Sequence, residues 1–296
     1  MWQQLNKDIM EGDVKALARC ISLIENEAEG YNDFLQNLSS SKVPVIGITG
    51  PPGAGKSTLV DALIGEMAAD NKRVAVLCID PSSPFNLGSL LGDRIRMSQW
   101  YNNPNVFIRS LATRGALGGL HPKIIEITDV IKMAGFDFII IETVGVGQSE
   151  IEIAGLADTT VVVVVPESGD EVQTMKAGLM EIADIFVVNK SDRPGANTYL
   201  KNLRLMLAPS FHNHQNEIPI LATVASKNEG IRVLMEKINQ NQPLQNAGRK
   251  KQLLTEKIYQ LIQAKRMKDV DKSILQEQIN ALPADFNIYK FVDDFK

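Results

Sequence analysis

Short runs of β-branched and other apolar residues recur along the chain from residue 43 onward, and stretches with helical periodicity separate them. Most of these runs are continuously hydrophobic rather than alternating, which indicates strands covered on both faces of a sheet. Strands that alternate with helices favour a parallel, doubly wound sheet. We therefore predict an α/β fold with a mostly parallel sheet. The predicted strands are residues 43–49, 74–79, 106–108, 136–141, 160–165, 185–188 and 218–223.

Helical segments flank this α/β region. Upstream, Asp13 is typical of a helix N-cap, and apolar residues follow it at roughly helical spacing. Downstream, residues 239–246 form a polar stretch in which Pro243 cannot continue a helix, and residues 248–280 have a charged, helical pattern. We predict an N-terminal helical extension over 1–40, the α/β domain over 41–242 and a C-terminal helical arm over 243–296.

The composition of the 296 residues excludes several classes of protein. With 31 Lys and Arg against 35 Asp and Glu, the formal net charge is −4, which argues against bulk affinity for nucleic acid or an anionic membrane. Cys20 and Cys78 are isolated, which excludes a disulfide scaffold. No apolar run approaches the length of a membrane helix, and the first residues lack the apolar core of a signal peptide. We expect a cytoplasmic protein without a membrane or nucleic-acid partner.

Residues 50–58, which follow the first predicted strand, read Gly-Pro-Pro-Gly-Ala-Gly-Lys-Ser-Thr. They match the P-loop pattern of Gly, four residues, Gly, Lys and Ser or Thr. In such a loop backbone N–H groups and a helix N-terminus surround phosphate oxygens, whereas the alternative is a plain glycine-rich turn. Lys56 would reach the β- and γ-phosphates, and the Ser57 hydroxyl would bind Mg²⁺. The predicted phosphate-binding residues are Gly50, Pro51, Pro52, Gly53, Ala54, Gly55, Lys56, Ser57, Thr58 and Gly145.

Carboxylates follow or close several of the predicted strands. Asp80 and Glu142 end the second and fourth runs, and Asp93 lies in the segment after Asp80. The carboxyl ends of parallel strands line the crevice where ligands bind, so these side chains can reach Mg²⁺ directly or through water. For each residue alone, a helix cap or a turn is the alternative. We predict a magnesium set of Ser57, Asp80, Asp93 and Glu142.

Residues 189–192, Asn-Lys-Ser-Asp, follow the predicted strand at 185–188 and match the pattern Asn-Lys-x-Asp. The Asp192 carboxylate can accept hydrogen bonds from both N1–H and the 2-amino group of guanine, a donor pair that adenine lacks. Lys190 would lie along the base and Asn189 would brace the loop, although a solvated turn is the alternative. The position after a strand favours the guanine interpretation and predicts a GTPase.

The residues around Gly145 predict slow intrinsic turnover. In Ras-like GTPases a glutamine directly after the switch glycine positions the attacking water, but here Val146 follows and the nearest glutamine is Gln148. We therefore expect a partner or a second loop, such as 115–119 or 169–176, to complete the site. Charge-stabilising candidates, each also readable as an ordinary ion-paired arginine, are Arg94, Arg96, Arg109 and Arg114.

Together these residues resemble the ArgK/MeaB family, the GTPases that chaperone adenosylcobalamin-dependent methylmalonyl-CoA mutase. The resemblance runs from about residue 12 to residue 231, and residues 142–150, Glu-Thr-Val-Gly-Val-Gly-Gln-Ser-Glu, are its most characteristic segment. The other segments that carry it are 16–19, 23–26, 50–58, 80–83, 92–97, 109–119 and 169–176.

This resemblance implies a homodimeric GTPase that is held together partly by its C-terminal arm and uses Mg²⁺ with GTP or GDP. It further implies switch loops that gate cofactor delivery to methylmalonyl-CoA mutase, or a related acyl-CoA mutase, and protect that mutase from inactivation. By position, Lys176 matches a lysine of an additional switch, so the implied catalytic set is Lys56, Glu142 and Lys176. Val224 and Ala225 stand where the family backs the guanine, completing a base set with Asn189, Lys190 and Asp192.

The chain departs from the family pattern in the first switch, where Asn86, Leu87 and Ile95 replace the usual residues, and at Val224, which replaces a serine. Residues 244–296 also lack the family's usual tryptophan. Two other functions stay open at this point. A nucleotide-dependent kinase linked to amino-acid transport would need an acceptor pocket, and a metallochaperone GTPase would need a Cys and His cluster. The histidines are His121, His212 and His214.

Overall fold

A parallel β-sheet is the centre of the computed structural model, which describes residues 1–39, 41–80, 97–113, 120–145, 152–166, 177–207, 218–240, 247–283 and 286–295. In these residues the sheet has seven strands in the order β3-β2-β4-β1-β5-β6-β7, and every pair of neighbours is parallel. The predicted α/β fold is therefore confirmed. The strands are β1 Val45–Thr49, β2 Val74–Asp80, β3 Val106–Ala112, β4 Phe138–Glu142, β5 Thr159–Val164, β6 Ile185–Val188 and β7 Ile220–Ala222.

Helices connect and flank the strands. α4 follows β1 after the loop 50–55, α5 to α7 occupy later connections between strands, and α8 follows β7. Short 3-10 turns span Ser98–Trp100, Ile153–Gly155 and Ala225–Lys227. Among the residues described, no helix is long and apolar enough to cross a membrane. The helices are α1 Trp2–Met10, α2 Val14–Glu25, α3 Tyr31–Gln36, α4 Lys56–Ala69, α5 Ile124–Lys132, α6 Ala177–Ile182, α7 Ala196–Leu207, α8 Ile231–Gln240, α9 Ala247–Arg266, α10 Lys272–Asn280 and α11 Ile288–Asp294.

The sheet is covered on both faces, as the continuous apolar runs predict. Alternate residues of β5 divide between the faces: Val161 and Val163 belong to the core that includes α4 and α8, whereas Val162 and Val164 belong to the core of α6 and α7. Every residue of β1, β2, β4, β5 and β6 is buried. Strands buried on both sides have no polar face, which explains the absence of alternation in their sequences.

The edge strand β3 is longer than its apolar run at 106–108 predicts. Pairing with β2 continues through Arg109 and Ser110 to Ala112. Arg109 is polar, yet its guanidinium Nη2 donates to the Glu25 carboxylate and to Ser22 Oγ on α2. The strand therefore tolerates a charge because a neighbouring helix neutralises it, and an apolar pattern alone cannot indicate this.

The helices at the two ends of the chain also form as predicted. Asp13 caps α2, since its side chain accepts hydrogen bonds from the backbone of Lys15 and Ala16 at 2.8 and 3.2 Å. α2 packs against α1 and α5. The described chain divides into two compact units, Met1–Leu253 and Leu254–Lys296. In the second unit Asp271 and Asn287 cap α10 and α11.

The sheet order places β1 at the centre, with β4 on one side and β5 on the other. Earlier connections carry the chain to one side of β1 and later connections carry it to the other. In parallel α/β sheets a crevice opens at the carboxyl ends of the strands where the order reverses in this way. The loop after β1, which contains the P-loop motif, starts at this crevice.

Candidate nucleotide site

The loop after β1 turns directly into α4, which begins at Lys56 with Gly55 as its N-cap residue. Gly55 has φ of +88°, and a Cβ there would overlap the Asn189 side-chain amide. Only glycine accepts both conditions without strain. Pro51 and Pro52 carry no N–H, so after Gly50 the loop's backbone donors begin at Gly53.

Lys56 lies in the first turn of α4 and is 6% exposed. Its Nζ donates hydrogen bonds to the carbonyl oxygens of Gly50 at 2.9 Å and Pro51 at 3.1 Å. A buried ammonium group needs such acceptors, because burial otherwise disfavours the charge. The side chain therefore folds back over the loop and places its positive charge within it.

Ser57 and Glu142 meet beside this loop. Ser57 Oγ donates to Glu142 Oε1 at 2.7 Å, and Glu142 is 4% exposed at the end of β4. Asp80, also buried, ends the neighbouring strand β2, and the pairing of Cys78 with Glu142 brings both strand ends to one edge. The structure thus gathers three members of the predicted magnesium set. Asp93 lies outside the described residues.

The donor chemistry of Ser57, Asp80 and Glu142 fits a hard cation such as Mg²⁺, which prefers oxygen ligands and keeps several waters. Among the residues described, no group of three or more His, Cys, Asp or Glu side chains could hold a metal ion by itself. Mg²⁺ that binds together with a nucleotide takes one or two carboxylates and substrate phosphates as ligands and keeps several waters.

Two threonines join the ends of β1 and β4 beneath the loop. Thr143 Oγ1 donates to Thr49 Oγ1 at 3.0 Å, and both residues are buried. The backbone N–H of Thr143 also donates to the Ile48 carbonyl at 3.0 Å. The sequence does not predict this contact, because the two threonines are far apart in the chain. The only sequence signal is a hydroxyl residue at the end of one buried strand, Thr49, and another directly after a second, Thr143.

Gly145 packs against the phosphate loop with φ of +87°. A Cβ at this position would lie 2.6 Å from the Gly50 carbonyl oxygen and would also overlap Lys56 Nζ. The lysine end can move, but the backbone carbonyl cannot move without shifting the loop. Gly145 therefore permits the close approach between the segment after β4 and the loop after β1.

Replacing Gly145 with alanine should lower the free energy of unfolding by about 1 to 3 kcal/mol more than a matched control. The control is Gly195→Ala, which has nearly the same φ of +85° but no atom within 4 Å of the added Cβ. Both variants therefore incur the left-handed backbone strain, and only Gly145→Ala adds the steric overlap. Urea unfolding measures the difference, and equal midpoints would contradict the close approach.

Asn189 joins the segment after β6 to the phosphate loop. Its Nδ2 donates to the Ala54 carbonyl at 3.0 Å, and its Oδ1 accepts from Thr223 Oγ1 and from the Ala225 backbone, each at 3.1 Å. The side chain is buried, and its amide contacts three residues in two separate segments, the loop after β1 and the segment after β7. Asn189 therefore connects the Asn-Lys-x-Asp segment to the loop that carries the P-loop motif.

Lys190 makes a second connection, because its Nζ donates to the Gly53 carbonyl at 2.8 Å. Its backbone is left-handed, with φ of +55°. Lysines and an asparagine thus hold the carbonyl oxygens of four loop residues. Those residues are Gly50, Pro51, Gly53 and Ala54.

Asp192 points to the surface and pairs with a lysine that sequence analysis missed. Lys227 Nζ lies 2.9 Å from Asp192 Oδ2, and the side chains are 55% and 41% exposed. The hydrogen bond from Lys227 lowers the pKa of Asp192, and the same bond raises the pKa of Lys227. Asp192 is therefore a carboxylate at neutral pH. Val224 and Ala225, the other predicted base residues, are buried in the adjoining turn.

Several predicted residues fall outside the described part of the chain. Among the arginines, Arg109 is described, and it pairs with Glu25 of α2. His121 is buried, and its Nδ1 accepts from the Lys123 backbone N–H at 3.0 Å. The predicted residues and segments outside the described part are Asp93, Lys176, Asn86, Leu87, Ile95, Val146, Gln148, Arg94, Arg96, Arg114, His212, His214, 115–119 and 169–176.

Comparison with known proteins identifies the family. The sequence pattern of the family described as Methylmalonyl Co-A mutase-associated GTPase MeaB matches residues 17–279. The chain belongs to the MeaB family of GTPases. A candidate GTPase of Pyrococcus abyssi is 47% identical over 258 residues, which cover 85% of this chain and 80% of that protein. The resemblance found in the sequence is therefore confirmed.

Two other relatives carry names that refer to a mutase or to methylmalonic aciduria. A fused isobutyryl-CoA mutase of Geobacillus kaustophilus is 38% identical over 231 residues, which cover 73% of this chain and 21% of that protein. A mitochondrial methylmalonic aciduria type A homolog of Caenorhabditis elegans is 40% identical over 210 residues, which cover 64% of this chain and 52% of that protein. The crystal structure of an LAO/AO transport system kinase matches with a TM-score of 0.67 at 24% identity. The match covers 96% of this chain and 93% of that chain, and it supports the fold.

Proposed function

We propose that this MeaB-family chain binds GTP at the crevice around β1 and hydrolyses it. The observation that carries this proposal is the pair of contacts from Asn189 and Lys190 to the carbonyls of Ala54 and Gly53. These contacts join a phosphate-binding motif to a guanine-binding motif at a fixed separation. A nucleotide needs such a fixed separation, since its base and phosphates must be held together.

In the proposed complex the N–H groups from Gly53 to Thr58 and the N-terminus of α4 bind phosphate oxygens. Lys56 exchanges its loop carbonyls for the β- and γ-phosphates and stabilises the charge that develops during hydrolysis. At the other end, Asp192 accepts from guanine, and Ala225 lies beside the base through the turn that Asn189 holds. The site thus supplies positive charge to the phosphates of the nucleotide and selectivity to its base.

For Mg²⁺, the residues that fit are Ser57, Asp80 and Glu142, with Asp93 as a further candidate. When bound, the cation would neutralise phosphate charge. Ser57 and Glu142 are hydrogen-bonded to each other, so each orients the other beside the loop. The buried carboxylates concentrate negative charge where a cation is needed, and the lysines hold the opposite charge nearby.

We also propose that intrinsic turnover is slow, because the residue after Gly145 is Val146 rather than a water-positioning glutamine. A partner or a second loop would then complete the site, and Lys176 is the proposed residue from the additional switch. This arrangement suits a GTPase whose output is the state of a partner. A partner that supplies the missing group controls when hydrolysis occurs.

The proposed partner is an adenosylcobalamin-dependent acyl-CoA mutase, with methylmalonyl-CoA mutase as the leading candidate. Membership of the MeaB family supports this partner, and so does the Geobacillus protein in which a related region and a named mutase share one chain. We propose a cytoplasmic homodimer that gates cofactor delivery to the mutase and protects it. Exposed apolar side chains on the C-terminal arm suit a dimer contact; examples are Leu254, Ile258 and Ile262.

Single-turnover hydrolysis of γ-labelled GTP, with and without methylmalonyl-CoA mutase from the same organism, tests this function. We expect a slow, GTP-specific release of free phosphate that the mutase accelerates, and no turnover of ATP. Label on an acceptor molecule would instead indicate a kinase. A rate that does not respond to the mutase would contradict that partner while leaving the GTPase activity intact.

A further inference from the structure

The carboxylate assigned to guanine is held by a cation from another segment. Lys227 Nζ donates to Asp192 Oδ2 at 2.9 Å, across 35 positions of sequence. The Asn-Lys-x-Asp pattern contains no residue for this role. The pairing therefore depends on how the fold brings the segment after β7 to the motif.

The backbone of Lys227 is held in a tight turn. Val224 N–H donates to the Glu229 carbonyl at 3.1 Å, Glu229 N–H donates back at 3.2 Å, and Lys227 N–H donates to the Val224 carbonyl at 2.9 Å. The same turn contributes the Ala225 N–H that binds Asn189. One turn therefore orients both the first and the last residue of the Asn-Lys-x-Asp motif.

The charges around the pair favour its ionised form. Lys227 and Arg193 lower the pKa of Asp192, with the Lys227 hydrogen bond as the largest cause. Asp192 and Glu229 raise the pKa of Lys227, with the Asp192 hydrogen bond first. Because both side chains are partly exposed, this pair contributes little to folding stability, and its effect is local.

We propose that Lys227 is a positioning residue for guanine recognition, which orients the Asp192 carboxylate so that both oxygens face N1–H and the 2-amino group. An ionised carboxylate has about four lone-pair sites, so Asp192 can keep the Lys227 bond while each oxygen accepts one guanine donor. Lys227 thereby removes a rotational freedom of the carboxylate before the base arrives. This inference rests on the proposed guanine site.

Lys227→Ala should weaken GDP binding about three- to tenfold, the loss expected when a side chain that was held in place must instead be fixed on binding. IDP, which lacks the 2-amino group and needs one carboxylate oxygen, should lose less affinity. The ratio of GDP to IDP affinity therefore falls, which a general loss of structure would not produce. Lys227→Arg should restore most of that ratio, because the cation is retained.

A double-mutant cycle with Asp192→Ala decides whether Lys227 acts through Asp192. In the Asp192→Ala background, Lys227→Ala should change the GDP dissociation constant by less than about twofold. Lys237→Ala is the matched control, since Lys237 contacts Gln240 on α8 and should leave both nucleotides unaffected. Urea unfolding of each variant checks that the fold is retained.

The outcomes separate this inference from the proposed function. If Asp192→Ala weakens GDP binding but Lys227→Ala does not, or if Lys227→Ala tightens it, the positioning role is wrong and the guanine site stands. An effect of Lys227→Ala that persists without Asp192 would also overturn the positioning role. If Asp192→Ala leaves GDP affinity and selectivity over ADP unchanged, the guanine site itself is wrong.

Discussion

Lys56→Ala should reduce single-turnover GTP hydrolysis by about 100- to 1,000-fold, the range typical of losing one preorganised charge at a reacting centre. The position of Lys56 in the structure is the reason to expect a large effect on the rate. Lys56 is buried, and its Nζ already lies among the carbonyl oxygens of the phosphate loop. Alanine cannot replace that charge.

The same substitution removes two hydrogen bonds that close the loop, so folding and catalysis must be measured separately. Nucleotide-free unfolding in urea reports the structural cost. Lys237→Ala provides the comparison for a lysine that bonds an exposed glutamine outside the site. Arginine at position 56 should not rescue hydrolysis, because Gly145 packs against the lysine end and leaves no room for a guanidinium group. Turnover at the normal rate in Lys56→Ala would refute the assigned phosphate site.

Asp192→Asn should convert the base preference from guanine to xanthine. Asparagine replaces one acceptor oxygen with an NH2 donor group, which repels the guanine 2-amino group but donates to the carbonyl at position 2 of xanthine. We expect the GTP affinity of this variant to fall about 100-fold, because unpaired polar groups at a recognition site are strongly penalised. We also expect the variant to bind XTP more tightly than it binds GTP. Because Asp192 is partly exposed, the expected loss of GTP affinity is smaller than it would be at a fully buried site.

A matched control for this exchange is Asp129→Asn, which alters another aspartate that pairs with a lysine, here Lys132 at 3.0 Å on α5. Competition binding with GDP, XDP and ADP measures the preference of each variant. Asp129→Asn should keep the guanine preference. If Asp192→Asn also keeps it, the base is bound elsewhere on the protein.

Much of the fold can be predicted from local sequence patterns. Continuous apolar runs such as the one at 161–165 indicate strands covered on both faces, and the alternation with helices indicates a parallel sheet. These patterns are local because backbone geometry and burial act over a few residues. The edge strand β3 shows their limit, since Arg109 interrupts the pattern while α2 supplies the charge that lets the strand continue.

In the candidate site, too, some features could be predicted from local sequence and others could not. Its motifs were found from sequence because each is a short stretch with a fixed spacing. How those stretches meet depends on chain segments separated by many residues, as between Asn189 and Ala54 or between Lys190 and Gly53. Residue spacing along the chain did not indicate that Thr143 bonds to Thr49 or that Lys227 bonds to Asp192.

By itself, then, the sequence determined the α/β class, the phosphate and base motifs, and the family. Only the tertiary structure decided which side chains join those motifs and which cation holds the base carboxylate. The physical reason is that a hydrogen bond depends on distance and direction in space. Strand order and helix packing set both quantities, and the spacing of residues along the chain sets neither.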